Sequence, residues 1–391
     1  MISVQNALEI IEKTSRNYGS ETISLEAAAN RILSTTVYAT INMPPFRQSA
    51  MDGYAIRQTT RVAFNVIGES KAGDANNFSL NADEAVRVFT GALVPDDADT
   101  VIMQEHVDSE GEKIQINTMP KKGANIRNTG EQISKGSLAL AKGTRLNSAA
   151  IGFLACLGIA EVSVFTLPKV AIIVTGNELQ EPGKNLPIGK IYESNASMLS
   201  AALGAIGILD VQFCKVEDDF TATKEAIASK LLENDVVLIS GGISVGDYDF
   251  VRKALVELGV EELFYKVNQK PGKPLWFGKK DTTFVFGLPG NPASALTCFY
   301  VYVLPLLRDL GGYGKTGLEK VSAKANFSFH NKSGKTLFLK AYLENDSVDL
   351  LDGQSSAMLH TYARSNALAC VDANTVNLSV GDIVECLKFD F

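Results

Sequence analysis

Between residues 168 and 312 the sequence alternates apolar runs with amphipathic ones, and that rhythm leaves few folds open to it. VAIIVTGNEL is an apolar strand ending in Thr-Gly, NASMLSAALGAIG a helix and DVQFCKVEDD the next strand. TATKEAIASKLLEN reads as a helix and DVVLISGG as a strand. DYDFVRKALVELG is a helix with Phe250, Ala254, Leu255 and Leu258 on its inner face. TFVFGLPGNPASALTCFYVYVLPLL adds a last strand and helix. Strands this apolar, joined by helices, predict a mostly parallel sheet covered on both faces, a three-layer α/β domain.

The flanking regions have other rhythms. Residues 3–17 read as a helix with Val4, Leu8 and Ile11 on one face. From about 20 to 140 short β segments alternate with Gly, Pro and Asn turns, clearest in VRVFTG, DTVIMQEHV and EKIQINTMP. Asn147 can cap a following helix, AAIGFLACLG, which Gly158 closes. Beyond 312 short strands return (AKANFSF, TLFLKAYL, ALACV, DIVECLKF), predicting a small C-terminal β-barrel or sandwich. A chain of 391 residues also exceeds what one hydrophobic core serves, so several domains are expected.

Charge and cysteine usage narrow the function. A net charge of -7 argues against nucleic acid or an acidic membrane as partner. No apolar run approaches the ~20 residues of a membrane span, and MISVQNALEIIEK is an amphipathic helix rather than a signal peptide. The five cysteines are scattered and in apolar contexts, implying reduced thiols and a cytoplasmic setting. With three isolated histidines they form no zinc or iron-sulfur pattern, so any metal is a hard cation on oxygen ligands.

In a parallel sheet, ligands bind beyond the carboxyl ends of the strands. Three such ends are marked by glycine: Thr175-Gly176-Asn177-Glu178, Ser240-Gly241-Gly242-Ile243-Ser244-Val245-Gly246-Asp247 and Leu288-Pro289-Gly290-Asn291-Pro292. The middle one joins a buried strand to a helix, where backbone N–H groups can converge on an anion. It equally suits a tight corner, and its spacing fits neither a Walker loop nor a dinucleotide fingerprint. Glu178, Asp218, Asp247 and Asp249 gather at the same edge. One loop aspartate is usually a cap, but several together repel unless a cation, such as magnesium, neutralises them. Lys266, Lys270 and Lys273 lie in KVNQKPGKP, where two prolines and a glycine stiffen a cationic loop suited to an oxyanion. Asp52-Gly53 and Thr90-Gly91 read locally as ordinary turns. Taken from the residues alone, the chain holds an anion site with carboxylates and an unspecified reaction.

In their order, PPFRQSAMDGYA, VRVFTGALVP, ADTVIMQEHV, NIRNTGEQI, TGNELQEPG, GKIYESN, ISGGISVGDYD, QKPGKPLWFG and GLPGNPAS resemble the molybdopterin molybdenumtransferase family, which includes the C-terminal domain of gephyrin. The likeness spans most of the chain and loosens after about 312. It implies final assembly of molybdenum cofactor: adenylylated molybdopterin and molybdate are substrates, AMP is released, and magnesium assists. It also implies a homodimer with shared sites and transient contact with the adenylyltransferase that supplies the pterin. Four domains are implied: 1–19 with 40–52 and 131–167, 20–39 with 53–130, 168–312, and 313–391.

Carried over by motif, Asp52, Thr90, Glu178, Asp218 and Asp249 would be catalytic, with Glu178 and Asp249 holding the cation. Substrate would meet Thr175, Gly176, Ser240, Gly241, Gly242, Ser244, Gly246, Asp247, Lys266, Lys270, Lys273, Pro289, Pro292, Lys340 and Ser356. Three departures stand out: Phe46-Arg47-Gln48-Ser49 where Asp-Asn is common, Gln132 where Asp is usual, and Lys340 where Arg is usual. A gephyrin-like scaffold would show tight peptide binding with weak, adenylate-independent turnover. A carrier would bind pterin or molybdate without cleaving anything, and a dehydrogenase would show cofactor absorbance.

Overall fold

The computed structural model describes residues 1–15, 19–243, 250–314 and 317–389. The chain forms two compact units, one of Met1–Glu21 with Phe165–Phe391 and one of Thr22–Val164.

The larger unit is built on a six-stranded sheet. In spatial order its strands are Val211–Val216, Val170–Thr175, Val236–Ser240, Thr283–Leu288, Trp276–Lys280 and Glu261–Tyr265. The first four are mutually parallel; Trp276–Lys280 runs antiparallel to both of its neighbours, so Glu261–Tyr265 points the same way as the first four. The three inner parallel strands are buried at every residue, which is why they read as unbroken apolar runs. Alternate side chains feed two cores. Ile172, Val174, Leu238 and Phe286 face the helices Asn195–Gly204 and Pro292–Cys298, together with Ala7 and Ile11 of the N-terminal helix. Ile173, Val237, Ile239 and Val285 face Phe220–Glu233 and Phe250–Glu257.

Several boundaries differ from the sequence reading. The N-terminal helix is Val4–Thr14, capped by Ser3, whose hydroxyl accepts from the Asn6 N–H. The helical segment Pro292–Leu310 reaches 19 residues and is apolar enough to span a bilayer, longer than the sequence suggested. Of its most apolar window 89% is buried, so its composition answers to the protein core.

After this segment the strands Glu319–Ala325, Thr336–Glu344, Ser347–Leu350, Ala367–Val371 and Ile383–Lys388 close into a five-stranded barrel. Small residues (Ala323, Ala325, Ala341, Ala367, Ala369) leave room for Leu337, Leu339, Val348 and Val384 inside it. The segment Gln269–Lys270 pairs with Thr336–Leu337, tying the lysine loop to the barrel.

The smaller unit holds a second six-stranded sheet, ordered Thr100–Met103, Gly53–Ile56, Glu84–Val88, Ala63–Ser70, Lys113–Ile116 and Val107–Glu110. Its helix Ser148–Cys156 is capped by Asn147, whose side-chain Oδ1 accepts from the Ala150 N–H at 2.9 Å. Gly158 follows at φ +73°. Gly53, which the sequence marks as a turn residue, opens a strand instead. A Cβ there would lie 1.8 Å from the Ile102 carbonyl oxygen, so the glycine serves strand approach.

Candidate active site

The carboxyl ends of the parallel strands open into a cleft of about 1340 Å³, lined entirely by residues of the larger unit. Its floor is the strand ends Thr175 and Ser240, with Gly241, Gly242 and Asn195. Gly241 and Gly242 stand at φ +95° and +60°, and a Cβ on Gly241 would fall 2.7 Å from the Thr175 carbonyl oxygen. Here glycine is required twice over, by conformation and by close approach. The Gly241 N–H is taken by the Leu288 carbonyl at 3.3 Å, so this amide does not contribute to an anion cradle. Ser244, Gly246, Asp247 and Asp249 lie outside the described residues.

One wall is acidic. Asp218 and Asn177 exchange bonds: the Asn177 N–H donates to Asp218 Oδ2, and the Asp218 N–H to Asn177 Oδ1, both at 3.1 Å. This lashes together the ends of two neighbouring strands. Glu178 folds back over Gly176, where a Cβ would meet its carboxylate oxygens at 2.7 and 2.8 Å. Gly176 therefore gives Glu178 the space it occupies.

The opposite wall is basic. Lys270 and Lys273 line it, joined by Lys335 from the turn before the barrel strand. Lys266 does not line the cleft; its ammonium lies 4.7 Å from the centre of the Tyr265 ring. Pro289 and Pro292 border the cleft, and Asn291 Nδ2 donates to Ser356 Oγ at 3.0 Å. Cations thus face carboxylates across one cleft, an arrangement that can seat an oxyanion at one end and a metal-bound phosphate at the other.

Lys340 is not among the lining residues. It is 3% exposed, and its Nζ donates to the carbonyls of Gly353, Ser355 and Met358 at 2.7, 3.1 and 2.9 Å. All three N–H donors are consumed in folding the loop that carries Gln354, Ser355 and Ser356 into the cleft. Burial pushes its pKa below the ordinary 10.5.

Asp52 and Thr90 belong to the smaller unit and pair with each other. The Thr90 N–H and hydroxyl both donate to Asp52 Oδ1. Those bonds, and then the nearby Arg87 guanidinium, hold the carboxyl below its usual 3.8. Arg87 itself stacks over Tyr54 and Phe89, 4.8 and 5.2 Å from the ring centres. Gln132 is exposed, with its N–H on the Met43 carbonyl. Arg47 is structural: its guanidinium donates to the carbonyls of Pro95, Asp96 and Ala98.

Sequence reasoning missed Lys335, Gln354 and Asn195. Asn195 Nδ2 donates to Ser240 Oγ and the Gly290 carbonyl, at 2.7 and 2.8 Å, joining two strand ends. Its position in GKIYESN, at the start of a helix, was the available signal. Lys335 and Gln354 had none, because they enter from the barrel.

Three family models match in sequence order: MoeA N-terminal region (domain I and II) over residues 2–158, probable molybdopterin binding domain over 171–309, and MoeA C-terminal region (domain IV) over 322–389. A Haemophilus influenzae protein named molybdopterin molybdenumtransferase is 35% identical over 381 residues, covering 95% of this chain and 94% of that one. A Staphylococcus epidermidis protein of the same name is 31% identical over 398 residues, covering 99% and 95%. The crystal structure of a molybdopterin biosynthesis MoeA protein from Pyrococcus horikoshii superposes with a TM-score of 0.82 at 32% identity, each chain fully covered.

Proposed function

The chain belongs to the MoeA family, and from that premise we propose that it is a molybdopterin molybdenumtransferase. It takes adenylylated molybdopterin and molybdate, hydrolyses the phosphoanhydride bond so that AMP leaves and the pterin keeps its terminal phosphate, and places molybdenum on the dithiolene while the thiol protons leave with a molybdate oxygen as water. The observation that carries this reading is the cleft with lysines on one wall and carboxylates on the other.

Lys270 and Lys273, on a loop stiffened by two prolines and a glycine, would hold molybdate as paired point charges. The Thr175 and Ser240 strand ends, with the glycine bend, leave space for the pterin phosphate. Charge that develops on the cleaved phosphate oxygens needs stabilisation, and no covalent protein nucleophile is required.

Magnesium is the cofactor we propose. Glu178 and Asp218 supply hard oxygen donors suited to it, and Glu178 has a cradle over Gly176. Among the described residues no three carboxylates, histidines or cysteines gather into a site, so water and substrate phosphate would complete the shell, with Asp249 a further candidate. When bound, the cation would lower the charge carried by the phosphate oxygens.

Asp52 and Thr90 are read as completing the cleft of a second subunit in a cytoplasmic homodimer, fed by a transient adenylyltransferase contact. The finer four-domain division is part of the same reading. The test is AMP release from adenylylated molybdopterin, with and without molybdate and magnesium; binding without AMP release would overturn it. A mixing experiment tests the shared site. Asp52→Asn and Lys270→Ala subunits, each inactive, should together recover about a quarter of wild-type activity, because half the dimers gain one intact site. No recovery would place each site within one subunit.

A further inference from the structure

Beneath the lysine wall lies a buried polar cluster for which the proposed chemistry has no use. Gln269, Tyr302 and Cys298 are each 0% exposed. Gln269 Nε2 donates to the carbonyls of Pro271 and Gly272, at 3.1 and 3.2 Å, and these are the two residues between Lys270 and Lys273. Its Oε1 accepts from the Tyr302 hydroxyl. The Cys298 thiol faces the Gly272 carbonyl at 3.7 Å. A Cβ on Gly272, which stands at φ +84°, would lie 2.5 Å from that sulfur.

Tyr302 and Cys298 come from the helical segment that starts at Pro292 in the cleft. Between Phe299 and Val303 it widens into a π turn. Such turns reset which side chains face a neighbour and recur near functional sites. Burial pushes the Tyr302 phenol and Cys298 thiol pKa values up, so both stay protonated. A buried polar cluster is costly unless its bonds are made. Here the amide of Gln269 spends both its donor and its acceptor, with the peptides between the two lysines at one end and a phenol at the other.

We propose that Tyr302, acting through Gln269, is a positioning residue that fixes the spacing of Lys270 and Lys273 and thereby the affinity of the cleft for a tetrahedral oxyanion. The inference rests on the reading of these lysines as the molybdate clamp. Tyr302→Phe removes one hydroxyl and leaves Gln269 Oε1 without its donor.

The experiment uses full-length protein and molybdate as the probe, by calorimetry and by AMP-release kinetics. Tyr302→Phe should raise the molybdate Kd and KM about tenfold, while kcat and the KM for adenylylated pterin stay within about twofold. Hydrogen exchange at the amides of Gly272 and Lys273 should quicken. Gln269→Met, similar in volume but without the amide, should lose affinity likewise. Wild-type molybdate affinity in either folded variant, with binding lost in Lys270→Ala/Lys273→Ala, would overturn the inference and leave the clamp standing. If the double lysine variant itself binds molybdate normally, the clamp reading fails and this inference with it.

Discussion

Thr90 donates twice to one oxygen of Asp52: its backbone N–H reaches Oδ1 at 2.7 Å and its hydroxyl at 3.0 Å. The two residues are 38 positions apart, yet the Asp52 carboxylate accepts from the Thr90 backbone as an N-cap side chain accepts from a helix N–H. Asp52→Asn keeps an acceptor for both donors, so the fold should survive. AMP release should fall about a hundredfold or more, as when a charge is removed from a catalytic constellation. An unfolded Asp52→Asn, or one with full activity, would contradict the role. Thr90→Ala keeps the backbone bond and should be milder.

The same pair makes a pH prediction. The Asp52 carboxyl is held below 3.8, first by the Thr90 N–H, next by its hydroxyl, with a smaller push from Arg87. A lowered folded-state value means that the contact favours the folded form above 3.8 and is lost as pH falls through the lowered value. Thr90→Val should move the Asp52 titration, followed by carboxyl NMR, back toward the ordinary value. An unmoved midpoint would assign the effect to the backbone bond alone.

Lys340 should behave as a structural residue. Lys340→Met takes a buried donor away from three carbonyls of a partly exposed loop and should cost about 2 kcal/mol in urea unfolding. Lys340→Arg should recover little of this, because a planar guanidinium cannot reproduce three bonds from one nitrogen. Full stability in Lys340→Arg would show that charge, and not the three-carbonyl geometry, holds the loop.

Gly176→Ala should act on Glu178. The added methyl would crowd the carboxylate at 2.7 Å, and φ +151° disfavours a side chain there. The magnesium concentration for half-maximal AMP release should rise about tenfold, and the strained backbone should also cost about 1 kcal/mol or more of stability. An unchanged magnesium requirement would remove Glu178 from the cation site.

Gly53→Ala tests a different use of glycine. Its Cβ would overlap the Ile102 carbonyl oxygen at 1.8 Å, and the strand pair cannot yield without breaking its ladder. A loss of about 3 kcal/mol is expected, read by denaturant unfolding. Wild-type stability would mean that the two strands can separate.

Lys266, Lys270 and Lys273 show where local reading stops. All three sit in one short cationic stretch, yet only the last two line the cleft, while the first lies against Tyr265. Spacing along the chain cannot tell these fates apart, because the backbone at Lys266 turns through φ +63°. Lys340 reads in the sequence as a ligand-binding cation, and in the fold its ammonium donates to three carbonyls of the Ser356 loop.

What the sequence determined by itself was the order of apolar runs, hence the parallel sheet, and the glycines at its carboxyl edge, hence the place of the cleft. Those features rest on local periodicity and on backbone conformations open to few residues. Tertiary structure decided which polar side chains meet. Lys335, Gln354 and Ser356 come from the barrel, Asn195 bridges two strand ends, and Thr90 finds Asp52 across 38 residues. A lysine or a threonine carries the same chemistry wherever it stands. Its partners are fixed only when distant segments pack, and no local pattern encodes that meeting.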